Sequence, residues 1–172
     1  MGAGIIGIGL DIVAVARMRA AVRRSGARFV KKVFTPGEAR YCSGRAREYE
    51  HLAARFAAKE AALKALGAGI TGWAALQEVE VVREAGGRPR LSLRGGVLRR
   101  ARSLGVTAAH LSLTHTDQFA AAVVVLEGGA TQPLQSLTTN LAKVCTNLRK
   151  VRSNRIPSIR HSAFGNRHSD GG

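Results

Sequence analysis

The stretch RFAAKEAALKALG, from Arg55 to Gly67, limits the fold more than any other part of this chain. Alanine, leucine, lysine and glutamate make it a strong helix former, and Gly67 closes it. At about 100° per residue Phe56, Leu63 and Leu66 share one arc, yet Arg55 and Lys59 fall on that arc or at its edge. Glu60 and Lys64 take another sector, and alanines fill the remainder. Such a helix has no clean face to give to water. Either it is sandwiched between neighbours while its long basic side chains snorkel out, or it lines a cleft that binds something charged. An ordinary Glu60 to Lys64 helix pair, worth about 0.3 kcal/mol, explains one pair of charges only.

The 172 residues suit one domain with a proper core. IIGIGL, Ile5 to Leu10, reads as a buried strand whose glycines admit a close neighbour, and Asp11 follows at once. IVAVARMRAAVRRSG then predicts a basic helix carrying Arg17, Arg19, Arg23 and Arg24, with Gly26 as its stop. FTPGEARYC combines Thr35, Pro36 and Glu38 as a capped helix start. The long helix runs from about Glu48 to Leu66, and Gly67, Gly69 and Gly72 end it in a loop. EVEVV and RLSL flank the turn-rich GGRP as a hairpin, and GVLRRARSLG is a short amphipathic helix. HLSLTHT and FAAAVVVLE, separated by Asp117 and Gln118, form a second hairpin. This divides the chain into a body, 1–127, and a basic low-complexity tail, 128–172, whose composition predicts disorder with a short helix near Leu137 to Val151 as its one ordered candidate.

Lysine and arginine outnumber acids by 27 to 11, a formal +16, so the expected partner is acidic or polyanionic. The body carries about +10 of this with twenty basic residues against ten acidic, so it is basic on its own account. Cys42 and Cys145 are too few and too far apart for a disulfide framework or a zinc site, which suits free thiols in a reducing cytoplasm. No run approaches the roughly 18 apolar residues of a membrane span. A nucleic-acid-binding module would pair its basic residues with exposed aromatics or a groove-reading motif, and neither is seen.

Three clusters could carry chemistry: Asp11 with Arg17, Glu60 with its lysines, and SLTHT at Ser112 to Thr116. Each has a plainer reading. Asp11 could be a helix cap or turn former, and His115 a hairpin residue bonded to its neighbours. Together, two carboxylates from separate elements, several cations and a histidine with hydroxyl neighbours describe a site for a metal-bound polyphosphate. Mg²⁺ takes one or two carboxylates and completes its shell with water and phosphate oxygens, a part Asp11 and Glu60 would fill. Basic side chains would balance the remaining phosphate charge. No Gly-x-x-x-x-Gly-Lys-Ser/Thr loop is present, so this is not a P-loop site.

GIGLDIVAVARM, FTPGEARYC, RFAAKEAALKALG and LSLTHTDQFAAAVVVLE, in this order and spacing, resemble holo-[acyl-carrier-protein] synthase, the small bacterial type of 4′-phosphopantetheinyl transferase. The likeness runs from about Ile5 to Glu127. It implies transfer of the phosphopantetheine arm of coenzyme A to a serine of acyl carrier protein, releasing adenosine 3′,5′-bisphosphate, in fatty acid biosynthesis. It also implies an α+β fold, with a long helix on a curved, mainly antiparallel sheet, assembled as a homotrimer with active sites between subunits. By the same resemblance Asp11 and Glu60 hold Mg²⁺ and Lys64 contacts the pyrophosphate. His115, with Thr116 beside it, lies near the 3′-phosphate. Arg55 and Lys59 become phosphate or interface partners, Arg55 as part of the coenzyme-binding set. Arg17 faces the carrier protein, with Arg24 a further candidate on the same basic helix. A non-catalytic carrier-protein adaptor, the competing expectation, would keep Arg17 and have no need of both Asp11 and Glu60. The tail matches nothing in this resemblance.

Overall fold

The computed structural model describes residues 3–67 and 72–129. The chain begins with β1 (Ala3–Ala14), which runs straight into α1 (Val15–Val33); α2 (Pro36–Cys42), α3 (Glu48–Ala65) and the short α4 (Trp73–Gln77) follow. Then come the hairpin β2 (Val79–Arg83) and β3 (Pro89–Leu93), helix α5 (Gly95–Ser103), and the strands β4 (Val106–His115) and β5 (Phe119–Gly129). β5 is the centre of a three-stranded antiparallel sheet in the order β1-β5-β4, and β2 and β3 form a separate antiparallel pair. The expected α+β class and both expected hairpins are present. Among the described residues no helix is long and apolar enough to cross a membrane.

Several boundaries differ from expectation, most of them because strand pairing overrides a local signal; β1 starts at Ala3 and β4 at Val106, ahead of the expected Ile5 and His110. Ile12, Val13 and Ala14 are strand rather than helix, since β5 offers them partners as far as Phe119. Gly26 does not stop α1. It bends it, with φ 53° and ψ −140° in the positive-φ half of backbone space that glycine tolerates best, and the helix resumes to Val33. β5 also takes Gly128 and Gly129, two residues assigned to the tail, pairing them with Gly4 and Ala3 of β1. The short helix expected near Leu137 to Val151 lies outside the described residues.

The start of α2 is the capping box its sequence announces. Thr35 Oγ1 accepts from the Glu38 amide at 3.2 Å, Glu38 Oε2 accepts from the Thr35 amide at 2.9 Å, and Pro36 occupies the first turn.

Helix α3 is the axis of the core. It packs on β1 and β5 and is flanked by α1, α2 and β2. Eleven of its residues are buried, seven of them alanines. Successive strand residues point to opposite faces, so Gly7, Gly9, Asp11 and Val13 share the face of β1 turned to α3. A Cβ on Gly7 or Gly9 would overlap the carbonyl oxygens of Ala65 and Ala61, so these glycines let the helix backbone lie against the strand. The other face of β1 carries Ile8, Leu10 and Ile12, all exposed.

Candidate active site

The close seating of α3 on β1 decides what Asp11 meets. Two residues beyond Gly9 on the same strand face, Asp11 stands beside the last turns of α3, where Glu60 and Lys64 emerge one turn apart. Lys64 Nζ donates to Asp11 Oδ1 at 2.6 Å and to the Leu10 carbonyl at 3.0 Å. Burial pushes the Glu60 carboxyl above its ordinary range, the Asp11 charge adds to the push, and Lys64 opposes it. These three side chains line a cavity of about 390 Å³ with Arg17 of α1, and Phe29, Phe56 and Trp73 form its apolar wall. Trp73 is 46% exposed, meets Phe29 edge-on at 6.2 Å between ring centroids, and carries Lys32 Nζ 4.9 Å from its ring centre. Of the sequence-predicted residues, Asp11, Arg17, Glu60 and Lys64 therefore meet in one place.

Asp11 and Glu60 bring two carboxylates into one partly dry cavity, a donor pair that could hold a cation. Among the described residues no group of three or more His, Cys, Asp or Glu side chains could hold a metal ion, so Asp11 and Glu60 are the ligands on offer. That donor set fits Mg²⁺, which takes few protein carboxylates and keeps positions for water and phosphate oxygens. Zinc, with its demand for nitrogen or sulfur ligands, fits poorly.

Arg55, His115 and Thr116 belong to a different cluster. Arg55 is 5% exposed; its guanidinium lies 4.0 Å from the Tyr41 ring centre, and Nη1 donates to the His51 carbonyl at 3.2 Å. Its buried Nε has no hydrogen-bond partner. Arg45 covers the same ring at 4.2 Å, and Arg83 Nη1 donates to the Tyr41 hydroxyl at 2.9 Å. His51 bridges this group to His115 at the end of β4, 5.4 Å between rings. Thr116 Oγ1 accepts from the Gln118 and Phe119 amides at 3.2 and 3.1 Å and so holds the β4–β5 turn. Among the described residues no carboxylate is ion-paired with Arg45, Arg55 or Arg83, which leaves an arginine-rich pocket suited to an anion. Burial holds the His51 imidazole below its ordinary pKa, helped by the neighbouring His115, Arg55 and Arg45. Arg24 sits apart from both clusters on the exposed surface of α1.

Lys59 departs most from the sequence reading. It neither snorkels out nor faces a ligand. Fully buried, it pairs with Glu38 Oε2 at 2.7 Å and donates to the carbonyls of Leu76, at 2.8 Å, and Val79. Burial lowers its proton affinity and Glu38 opposes that. Tyr41, Arg45 and His51 were not singled out from the sequence. The one available signal was the arginine-rich GRAREYEH ahead of the alanine run, which reads equally well as a solvated helix entry.

A family model described as the 4′-phosphopantetheinyl transferase superfamily matches residues 7–124. The chain is similar to a holo-[acyl-carrier-protein] synthase of Koribacter versatilis, 48% identical over 123 residues that make up 72% of this chain and 98% of that one. Among solved structures it is similar to the Neisseria meningitidis holo-[acyl-carrier-protein] synthase, with a TM-score of 0.64 at 31% identity over 72% of this chain and 98% of that one. It is also similar to the Bacillus anthracis synthase in complex with coenzyme A (3′,5′-ADP), with a TM-score of 0.59 at 33% identity over 73% and 98%.

Proposed function

Because the chain belongs to the 4′-phosphopantetheinyl transferase superfamily, we propose that it moves the 4′-phosphopantetheine arm of coenzyme A to a serine of apo acyl carrier protein, releasing adenosine 3′,5′-bisphosphate for a cell making fatty acids in its cytoplasm. The observation that carries this reading is the meeting of Asp11, Glu60 and Lys64 in one cavity with Arg17 at its edge. A non-catalytic adaptor or a nucleic-acid module has no use for two carboxylates arranged in this way.

Asp11 and Glu60 would hold Mg²⁺, which when bound supplies positive charge to the pyrophosphate oxygens. Lys64, a mobile point charge on the exposed rim of the pair, turns from Asp11 to the pyrophosphate as it arrives. The carrier serine forms its bond to the β-phosphorus, the bond from that phosphorus to the bridging oxygen breaks, and the electron pair leaves with adenosine 3′,5′-bisphosphate. Glu60, or a water held beside the carboxylate pair, would take the serine proton. Arg17 and the exposed arginines of α1, Arg24 among them, receive the acidic carrier.

The anion cluster of Arg55, His115 and Thr116 is the proposed seat of the 3′-phosphate. Arg55 and Glu60 are five residues apart on α3, a rise of about 7.5 Å and a turn of about 140°, so they leave the helix in divergent directions. A homotrimer in which one copy offers the carboxylates and its neighbour the arginine cluster resolves this divergence. The outer face of β1 is open to such assembly: Ile8, Leu10 and Ile12 are 62, 60 and 64% exposed and form one row of apolar side chains.

The test is to incubate the protein with coenzyme A, Mg²⁺ and an apo acyl carrier protein and follow the carrier's mass; a carrier that never gains the arm, at any enzyme concentration, refutes the assignment. The proposed transferase domain is 1–127 with 128–172 as a dispensable tail. Because β5 runs through Gly129, a chain cut after Gly129 is expected to keep full turnover.

A further inference from the structure

Helix α3 meets its surroundings largely through alanine. Ala53, Ala54, Ala57, Ala58, Ala61, Ala62 and Ala65 are all buried, and Leu52 and Leu63 are the only large apolar side chains buried within the helix. A surface so rich in methyl groups draws little preference for one rotation from apolar burial, beyond what those two leucines supply. The glycine contacts do not supply the preference either. Gly7 and Gly9 lie against carbonyl oxygens, which a helix presents at every angle, so they set distance rather than rotation. Yet the proposed chemistry tolerates only a rotation that turns Glu60 and Lys64 toward Asp11.

Lys59 fixes the rotation more sharply than the leucines can. Lys59 Nζ has three donors, and all three are taken by groups from three different elements: Glu38 Oε2 of α2, the Leu76 carbonyl of α4 and the Val79 carbonyl of β2. Glu38 is fixed in turn, with Oε2 accepting from the Thr35 amide and Oε1 from the Val81 amide, both at 2.9 Å. The side chain can reach this convergence at one rotation of α3 only. A buried ion pair is a weak source of net stability, since well-packed apolar residues of similar volume often serve as well, so its retention calls for another role.

We propose that the Glu38–Lys59 pair is a rotational pin: Lys59 and Glu38 are positioning residues that aim the neighbouring Glu60, and Lys64 one turn on, at Asp11. The pin rests on the reading of Asp11 and Glu60 as the metal pair. It acts through the azimuth of α3 and touches neither substrate nor metal.

The experiment replaces both partners in the full chain, Glu38→Leu with Lys59→Met, because Lys59→Met alone leaves a buried carboxylate without its counter-ion. Free Mn²⁺ measured by electron paramagnetic resonance reports metal affinity directly, and steady-state kinetics separate kcat from KM. The double variant is expected to melt cooperatively but below the wild-type temperature, since the Thr35 and Val81 amides and the Leu76 and Val79 carbonyls lose their partners. It should bind Mn²⁺ at least tenfold more weakly and lose at least tenfold in kcat with little change in KM for the carrier. A folded double variant with wild-type Mn²⁺ affinity and kcat overturns the pin, and so does one that cannot fold, since the pair would then serve cohesion rather than aim. Glu60→Gln and the wild type are measured alongside. If the wild type does not bind Mn²⁺, or Glu60→Gln binds it equally well, the metal pair itself fails and takes the pin with it. Loss in Glu60→Gln with full affinity in the double variant removes the pin alone.

Discussion

The two ends of the active stretch of α3 differ in nearly every electrostatic respect. At Glu60 two carboxylates, the proposed metal ligands, share a cavity with Lys64 and Arg17. At Arg55 three arginines and two histidines gather about Tyr41 without an ion-paired carboxylate among the described residues, and a buried guanidinium nitrogen there is left unpartnered. One end offers oxygen ligands and the other offers cations alone. Coenzyme A matches both, with a pyrophosphate that would come with a metal and a 3′-phosphate some distance along the same molecule. On the proposed reading a single copy presents two halves of a site facing apart, which the ligand and a neighbouring copy would bring together.

The comparison breaks most visibly at the carboxylates. Asp11→Asn or Glu60→Gln removes half of the metal's protein ligands, and each is expected to lower kcat on the order of 10³-fold, the scale of losing preorganised charge stabilisation in a transferring site. Far-UV circular dichroism and the melting temperature check that the fold survives. Turnover within a few fold of wild type in either variant would end the metal assignment.

The next test asks whether the two ends serve one site within a chain or between chains. Glu60→Gln and a double Arg55→Ala, His115→Ala variant are each expected to be inactive alone. If sites form between copies of a closed ring, unfolding and refolding an equal mixture should restore roughly a quarter of wild-type turnover, because one in four random interfaces joins two intact halves. A mixture as inactive as its parts would mean that each chain works alone. Reversing the rim charge is milder still: Arg17→Glu is expected to raise KM for the acidic carrier about tenfold at low salt with kcat nearly unchanged, and the effect should shrink as salt screens the encounter.

What the sequence made legible follows the range of the interaction. The capping box at Thr35, the two hairpins and the long helix are written in neighbouring residues, and Asp11, Glu60 and Lys64, singled out from the sequence, do line one cavity. Lys59 was misread because its partner lies 21 positions earlier, in a residue whose capping role already accounted for it. The helix without a wet face was read as an anomaly of charges. Most of it is the signature of burial on every side, with one lysine turned inward and one, Lys64, turned out. No local pattern separates those two lysines, since each is a lysine among alanines. Only the packing of α2, α4 and β2 around one of them does so.

The smallest effect tests the arginine end through its histidine. In the folded chain the charged form of His51 is disfavoured by burial, His115, Arg55 and Arg45, with Glu50 opposing. Its folded pKa therefore lies below the value of about 6.5 that it regains on unfolding. Between those two values the unfolded chain binds more protons, so stability rises with pH; His51 costs nothing above the unfolded pKa, and stability is lost as pH falls through the folded one. The group is half-buried, so screening keeps the contribution on the order of 1 kcal/mol or less. Melting temperatures from pH 7.5 to 5 should fall more steeply in the wild type than in His51→Gln. Saturating adenosine 3′,5′-bisphosphate should flatten the wild-type slope, because a phosphate seated among Arg45, Arg55 and His115 reverses the sign of the field that His51 feels. A slope that the nucleotide leaves unchanged would mean that the anion does not bind beside His51, and the two ends of α3 would then have to be matched to coenzyme A in some other way.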